Sequence, residues 1–362
     1  MRRMLVGVAA LGVSIVWACG GTTTDQQDGG PTNDGGGGND VASKPDSGKP
    51  PPPDSGTPTT TVQTYALHTI YLGEADRSGT VSTTAWKDYG LNLDGVQTNK
   101  DATTVCTLQQ GAPKTNQVDG TSGIDNAFGG TLLPIFQTVL SEPTPSVIET
   151  DTIDQGTWTV QLQITGLSTD PQQTAPGLTA QIFTSGQYDN GVPTFDSSTD
   201  WPALSTSVKD GQTIASGSTM VFSNAFIQGG QFITQNAPDP LVLNLELNGV
   251  PVELHLHDAT IMFQHTVADD LTNGTIAGVL DTQEFITTLK SVAGQFSTSL
   301  CGAAFDGIAQ QIGQASDIMS DGTNVAGQTC DGISVGIGFD AKRIANPTKV
   351  VPPPSPPPDP CQ

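Results

Sequence analysis

Positive charge and histidine are scarce in this chain. Its 362 residues hold 13 lysines and arginines against 36 aspartates and glutamates, with only 4 histidines, for a net charge of -23. Such a surface repels phosphate, which excludes nucleic acid as a partner and electrostatic adhesion to anionic lipid. It attracts cations, and calcium is the ion to expect outside the cytoplasm. Aromatic residues are few, at 6%. The sequence holds no HExxH and no phosphate-binding glycine loop, so those hydrolase and nucleotide signatures are missing. No internal repeat of solenoid period occurs.

Five cysteines are present. Cys106, Cys301, Cys330 and Cys361 form an even set without CxxC spacing, which in an oxidising compartment reads as two disulfides. Of the three connectivities, Cys301 with Cys330 and Cys106 with Cys361 is the one we expect.

The fifth, Cys19, closes the N-terminal segment. Arg2 and Arg3 precede an apolar run from Met4 to Trp17, followed by Ala18 and Cys19. The run is shorter than the roughly 20 residues a spanning helix needs and has the layout of a cleavable signal segment, residues 1–18. Val16-Trp17-Ala18-Cys19 resembles the lipobox of bacterial lipoproteins, although Trp17 is bulkier than the family's usual residue. The resemblance implies acylation of Cys19 and a membrane partner reached through lipid alone, since several acyl chains anchor stably where one does not. Gly20 stands where an inner-membrane lipoprotein tends to carry Asp, so the resemblance implies the outer membrane.

Residues 19–61 read as a disordered tether: a Gly-rich polar stretch, then GKPPPPDSGTP in extended polyproline form. A Pro-rich tail covers 346–362. Between them, 62–345 is long enough for a β-rich globular domain with a sizeable core. The clearest pattern is at 241–266. LVLNLEL alternates, and Asn248-Gly249 is a favoured two-residue hairpin turn. Folding about it pairs Leu247 with Val250, Leu245 with Val252, Leu243 with Leu254 and Leu241 with Leu256, an apolar set in register. A second turn near Asp258-Ala259 would add a third strand and bring Ile261, Phe263 and His265 beside Leu256, Leu254 and Val252. Further strands read at 64–72, 157–165, 178–184, 275–280 and 333–341, with a hairpin at Gly229-Gly230. One short helix reads from Asp125 or Asn126 through LLPIFQTVL. Another starts at Asp281, with Glu284 three residues on as in a capping box, and carries Phe285, Ile286, Leu289, Val292 and Phe296. Its successor carries Phe305, Ile308, Ile312 and Met319. Many strands and few helices point to a mainly β fold, an antiparallel β-sandwich of jelly-roll type with a C-terminal helical hairpin packed on it.

Three groups of residues are candidate sites. The outward face of the 241–266 meander exposes Asn244, Glu253, His255, His257 and Gln264. Imidazole and carboxylate on one strand face suit zinc or another ligand, and the ordinary alternative is a solvated polar face. Asp119, Asp125 and Asn126 in VDGTSGIDNAFGG, with Asp94 and Asn92 from LNLDGVQT, concentrate oxygen donors for calcium, and the ordinary alternative is turn chemistry. The loop 187–201 offers Tyr188, Phe195 and Trp201 to stack on sugar rings beside Asp189, Asn190 and Asp200. The ordinary alternative is a surface loop in which Trp201 caps the core. Taken together, the lipobox, the Gly/Asp/Pro tether, DGTSGIDNAFG and the helix pair followed by TCDGISVGIGF resemble uncharacterised surface lipoproteins of gliding and predatory Gram-negative bacteria. That resemblance implies a location and no chemistry. We therefore expect a lipid-anchored, non-enzymatic binding or structural module, with glycan or an envelope protein as partner. The alternative is a secreted-type hydrolase, metal-dependent or polysaccharide-degrading, acting on the 241–266 face.

Overall fold

The structure is a computed structural model describing residues 50–137, 144–235, 237–238, 240–247, 250–267, 269–355 and 360–361. The signal segment, Cys19, the tether up to residue 49 and the Asn248-Gly249 turn lie outside the described residues. The strands are β1 (Val62–Tyr71), β2 (Val160–Thr165), β3 (Ala175–Thr184), β4 (Ala203–Leu204), β5 (Met220–Gln228), β6 (Gln231–Ile233), β7 (Leu241–Leu247), β8 (Val250–Val267), β9 (Asp270–Asp281), β10 (Gly332–Ile344) and β11 (Val350–Val351). The α-helices are α1 (Leu133–Gln137), α2 (Pro145–Asp154), α3 (Thr282–Phe296) and α4 (Ala304–Gln314).

The jelly-roll-like sandwich expected from the sequence is not what forms. Strands run in the order β6-β5-β3-β2-β1-β10-β9-β8, and β6 pairs with β8 to close an antiparallel ring of eight. The fold is a β-barrel. Sandwich and barrel share the same inward alternation, so the pattern within each strand does not separate them. The β6–β8 pairing does, with Gln231 opposite Gln264, Phe232 opposite Phe263 and Ile233 opposite Met262.

That pairing exists because β8 is a single strand of 18 residues. The turn expected at Asp258-Ala259 is a bulge: the register with β9 shifts between His257 and Thr260, and Asp258 takes a positive φ of 50°. A bulge bends a strand without ending it. The chain therefore runs on. β9 occupies one edge of β8 from Leu256 to Val267. The other edge is shared by β7 along the first half and β6 along the second. Within the first half the four apolar pairs from Leu241–Leu256 to Leu247–Val250 are in the expected register. The expected neighbours of Ile261, Phe263 and His265 are replaced by partners on β9 and β6. The β5–β6 hairpin turns at Gly229 and Gly230, with φ of 56° and 83°. A Cβ at Gly230 would also sit 2.2 Å from the Pro171 carbonyl oxygen.

The barrel is filled by side chains, as an eight-stranded ring requires. Leu162, Ile182, Phe222, Ile337 and Phe339 are all buried in one core, and the Phe232 and Phe263 rings stack at 4.5 Å. The outer wall is covered in patches too. Trp201 lies on Ala66 and Ile344, Val208 and Ala203 lie on Phe183, and Leu93 and Ile318 lie on Ala277 and Val279. α3 packs on β8 and on α4, beside the stretch of β8 that β9 leaves uncovered after Asp281. Its N-cap Asp281 accepts from the amides of Gln283 and Glu284. Phe285, Leu289, Phe305 and Ile312 bury the two helical stripes. Met319 lies past the end of α4 and packs instead on Cys106 and Cys330. The helix read from Asp125 or Asn126 begins as a π-turn at Phe128–Leu132 and continues as α1, while residues 138–140 of its expected run are outside those described. α2, unanticipated, packs on β1 and β7.

The disulfides are Cys106–Cys330 and Cys301–Cys361, and the expected pairing is corrected. A parallel bridge between Thr107 and Thr329 brings Cys106 beside Cys330 ahead of β10. Cys361 then meets Cys301, just beyond α3. β11 pairs with β4, so two stretches of the Pro-rich tail are tied to the body.

If the β6–β8 seam closes the core, Phe232→Ala should cost about 3–5 kcal/mol by loss of buried ring and the cavity left behind, whereas Val267→Ala on the exposed end of β8 should change little. Urea denaturation followed by circular dichroism reads both, and equal midpoints would contradict the seam.

Candidate functional site

The structure brings together Asp94, Asp119 and Asp125 of the five expected calcium ligands and adds a residue the sequence did not single out. Asp125 is placed by a bridge to Leu91, and its carboxylate accepts from the amide of Leu93 at 2.6 Å. Asp94 accepts from the Val96 amide at 2.7 Å and from Asn324 Nδ2 at 2.6 Å. Asp119 accepts from the Thr98 amide. Asp317, the newcomer, follows α4 and accepts from the amide and hydroxyl of Ser334 on β10, at 2.9 and 2.5 Å. Asp94 and Asp125 are 1% and 3% exposed, so these are carboxylates removed from water.

Burial and like charge act together here. Burial raises the Asp125 carboxyl well above its ordinary range, and Asp94, Asp317 and Asp119 raise it further. Burial pushes Asp119 up to about 7 against the opposing Thr98 amide, and Asp94 and Asp317 add to the rise. Burial likewise holds Asp317 at about 7 in spite of the Ser334 hydrogen bonds. The cluster therefore carries protons near neutral pH. Two buried oxygens nearby in sequence, Asn92 Oδ1 and Thr98 Oγ1, have no hydrogen-bond partner. Among the described residues no group of three or more His, Cys, Asp or Glu side chains is disposed to hold a metal ion.

Asn126 is spent elsewhere. Its Nδ2 donates to the carbonyls of Tyr89 and Gly336, both at 3.0 Å, and its Oδ1 accepts from the amides of Gly129 and Gly336 at 2.9 and 3.0 Å. It fastens the 126–130 turn to the outer wall of β10. Gly336 is needed there, since a Cβ would meet the Tyr89 carbonyl oxygen at 2.3 Å.

The second expected face divides. Asn244 lies opposite Glu253, and Val242 opposite His255. Gln264 does not join them: with β8 running straight through the bulge, it pairs with Gln231 and Thr272 toward the other end of the strand. His255 and His257 do converge, on Glu284. His255 Nδ1 is 2.6 Å from Glu284 Oε1 and His257 Nε2 is 3.2 Å from Oε2, with Glu253 at 3.5 Å from His255 Nε2. In a capping box Glu284 would turn back to its own cap; instead it reaches across to β8. Burial works to raise the Glu284 carboxyl, but the two imidazole hydrogen bonds outweigh it and hold the group below its usual range. Both imidazoles are thus engaged by one carboxylate. His265 faces the core as expected, 1% exposed, yet neither ring nitrogen has a hydrogen-bond partner, and burial lowers its pKa. It is held neutral. In the 187–201 loop Trp201 is fully buried and donates to the Gly186 carbonyl at 2.6 Å, so it seals the barrel wall. Asp189 pairs with Lys349, and Asp200 accepts from Thr348.

No protein-family model matches the chain, and neither a curated protein nor a solved structure matches it.

Asp119 and Asp317, at about 7 when folded against 3.8 ordinarily, bind protons more tightly in the folded state. Their contribution to stability is greatest below pH 4 and is lost as pH rises through 7. In chelator the melting temperature should fall by a few degrees from pH 5 to 8, and Asp119→Asn or Asp317→Asn should flatten that slope. Calcium added at pH 8 should restore the wild type and not Asp125→Asn if the ion occupies this cluster; no response leaves the proton as the neutralising species. An unchanged melting temperature across pH 5–8 in chelator would contradict a cluster protonated near neutral pH.

Proposed function

We propose that this chain is an exported cell-envelope protein, anchored through lipid on Cys19 in the outer membrane, whose barrel is a non-enzymatic binding or structural module. The observation that carries this reading is the cysteine inventory. Of five cysteines, four are paired in two disulfides, which suits an oxidising compartment. That leaves Cys19, at the end of the lipobox-like Val16-Trp17-Ala18-Cys19, as the thiol for acylation. The hydrolase alternative needs His255, His257 and Glu253 to take a metal or activate water. The engagement of both imidazoles by Glu284 favours the module instead.

Expression of the full chain in a Gram-negative host fed an alkyne fatty acid tests the anchor. The wild type should carry the label and sediment with outer membranes, and Cys19→Ser should lose the label and leave the membrane fraction. An unlabelled wild type, or label persisting in the variant, would overturn the proposal.

A further inference from the structure

A cleft of about 470 Å³ opens at the rim of the barrel. One side is the 194–197 segment of the aromatic loop, and the other is formed by Asp269 and Asp270 at the start of β9 and by Lys342 and Arg343 near the end of β10. His68 of β1 completes it. Neither the carboxylate cluster nor the Glu284 pair of histidines contributes to this cleft.

Its apolar element is Phe195. The ring is half-buried and fixed on two sides, edge-on to His68 with centroids 4.7 Å apart and tilted against Trp201 at 5.8 Å. Phe195 also takes a positive φ of 50°. A bulky aromatic rarely adopts that left-handed conformation, and residues held there tend to collect at ligand clamps. Its polar elements are paired charges. Lys342 Nζ lies 2.8 Å from Asp270 Oδ1, and Arg343 lies 3.3 Å from Asp269 Oδ1, all four side chains remaining partly open to solvent. Each pair sets a donor beside an acceptor.

We infer that this cleft binds a neutral sugar. A pyranose ring has an apolar C–H face that packs on an immobilised aromatic ring. Its vicinal hydroxyls each donate and accept, and so match a donor and an acceptor held side by side. The volume falls in the range of small-ligand sites, about 300–1,000 Å³, and accommodates one or two sugar rings. Charge selects against acidic glycans: the two cations are already paired with carboxylates, Asp196 adds a third carboxylate to the lining, and the chain as a whole carries -23. This deepens the binding-module reading by naming a ligand class, and it does not depend on the anchor.

The test is binding of the full-length protein, purified in detergent, to an array of neutral oligosaccharides of glucose, galactose, mannose, xylose and N-acetylglucosamine, with positives titrated by calorimetry. At least one neutral glycan should bind. Asp270→Asn should weaken it at least about tenfold, the loss expected for a donor–acceptor pair spoiled at one end. Ser197→Trp, a change at an exposed position that fills the cleft and leaves the core alone, should abolish binding with the melting temperature kept. Cys19→Ser should bind as the wild type does, so a failed anchor and a failed cleft give different results. No neutral glycan bound, binding to acidic glycans only, or binding unaffected in Ser197→Trp would each overturn the inference.

Discussion

Closure of the barrel rests on the 18-residue strand β8, which pairs with β7 and β6 along one edge and with β9 along the other from Leu256 onward. If the chain turned at Asp258, β6 would lose its partner and the ring would open into a curved sheet with free edges, which native proteins must otherwise protect. The bulge at 258–260 prevents this. It bends β8 enough for its first half to serve β7 and its second half β6, while β9 holds the opposite edge. Leu254 and Leu256 before the bulge and Ile261 and Phe263 after it then face one core.

The chemistry collects on the covered outer wall and at the rim. Ser334, Gly336 and Gly338 are the outward positions of β10, and they are small, which lets the 89–90 and 126–130 segments lie flat on the strand. The carboxylate cluster forms at that contact, with Asp317 tied to Ser334 and Asp125 tied back to Leu93. In the proposed reading, a sealed interior and a decorated exterior suit a module that presents side chains outward, with the paired charges around Phe195 at its ligand cleft.

Much of the local structure was legible. The hairpin register from Leu241 to Leu256 follows from strict alternation about Asn248-Gly249, and the Gly229-Gly230 hairpin and the Asp281 cap follow from equally short-range rules. What escaped was nonlocal. Asp258-Ala259 fits a turn or a bulge equally well by sequence, and only the pairing of β6 with β8 decides between them. Gln264 keeps its outward side but lies away from Asn244 and Glu253 for that reason. Asp94, Asp119 and Asp125 could be grouped because they sit in two Gly-containing turns. Asp317 could not, being nearly two hundred positions away in sequence from its partner Asp125. Glu284 was read as a capping residue, and its role beside His255 and His257 depends on where α3 leaves β9. The cysteine pairing was set by the Thr107–Thr329 bridge, which no spacing announces.

Amide hydrogen exchange along the β6–β8 seam tests the closed barrel most directly. If the ring is closed, the amides of Phe232, Phe263 and their neighbours should exchange only by global unfolding, as slowly as those of β10 in the middle of the sheet. Exchange at the rate of an open edge, with β10 still protected, would contradict the barrel and the placement of every site built on it.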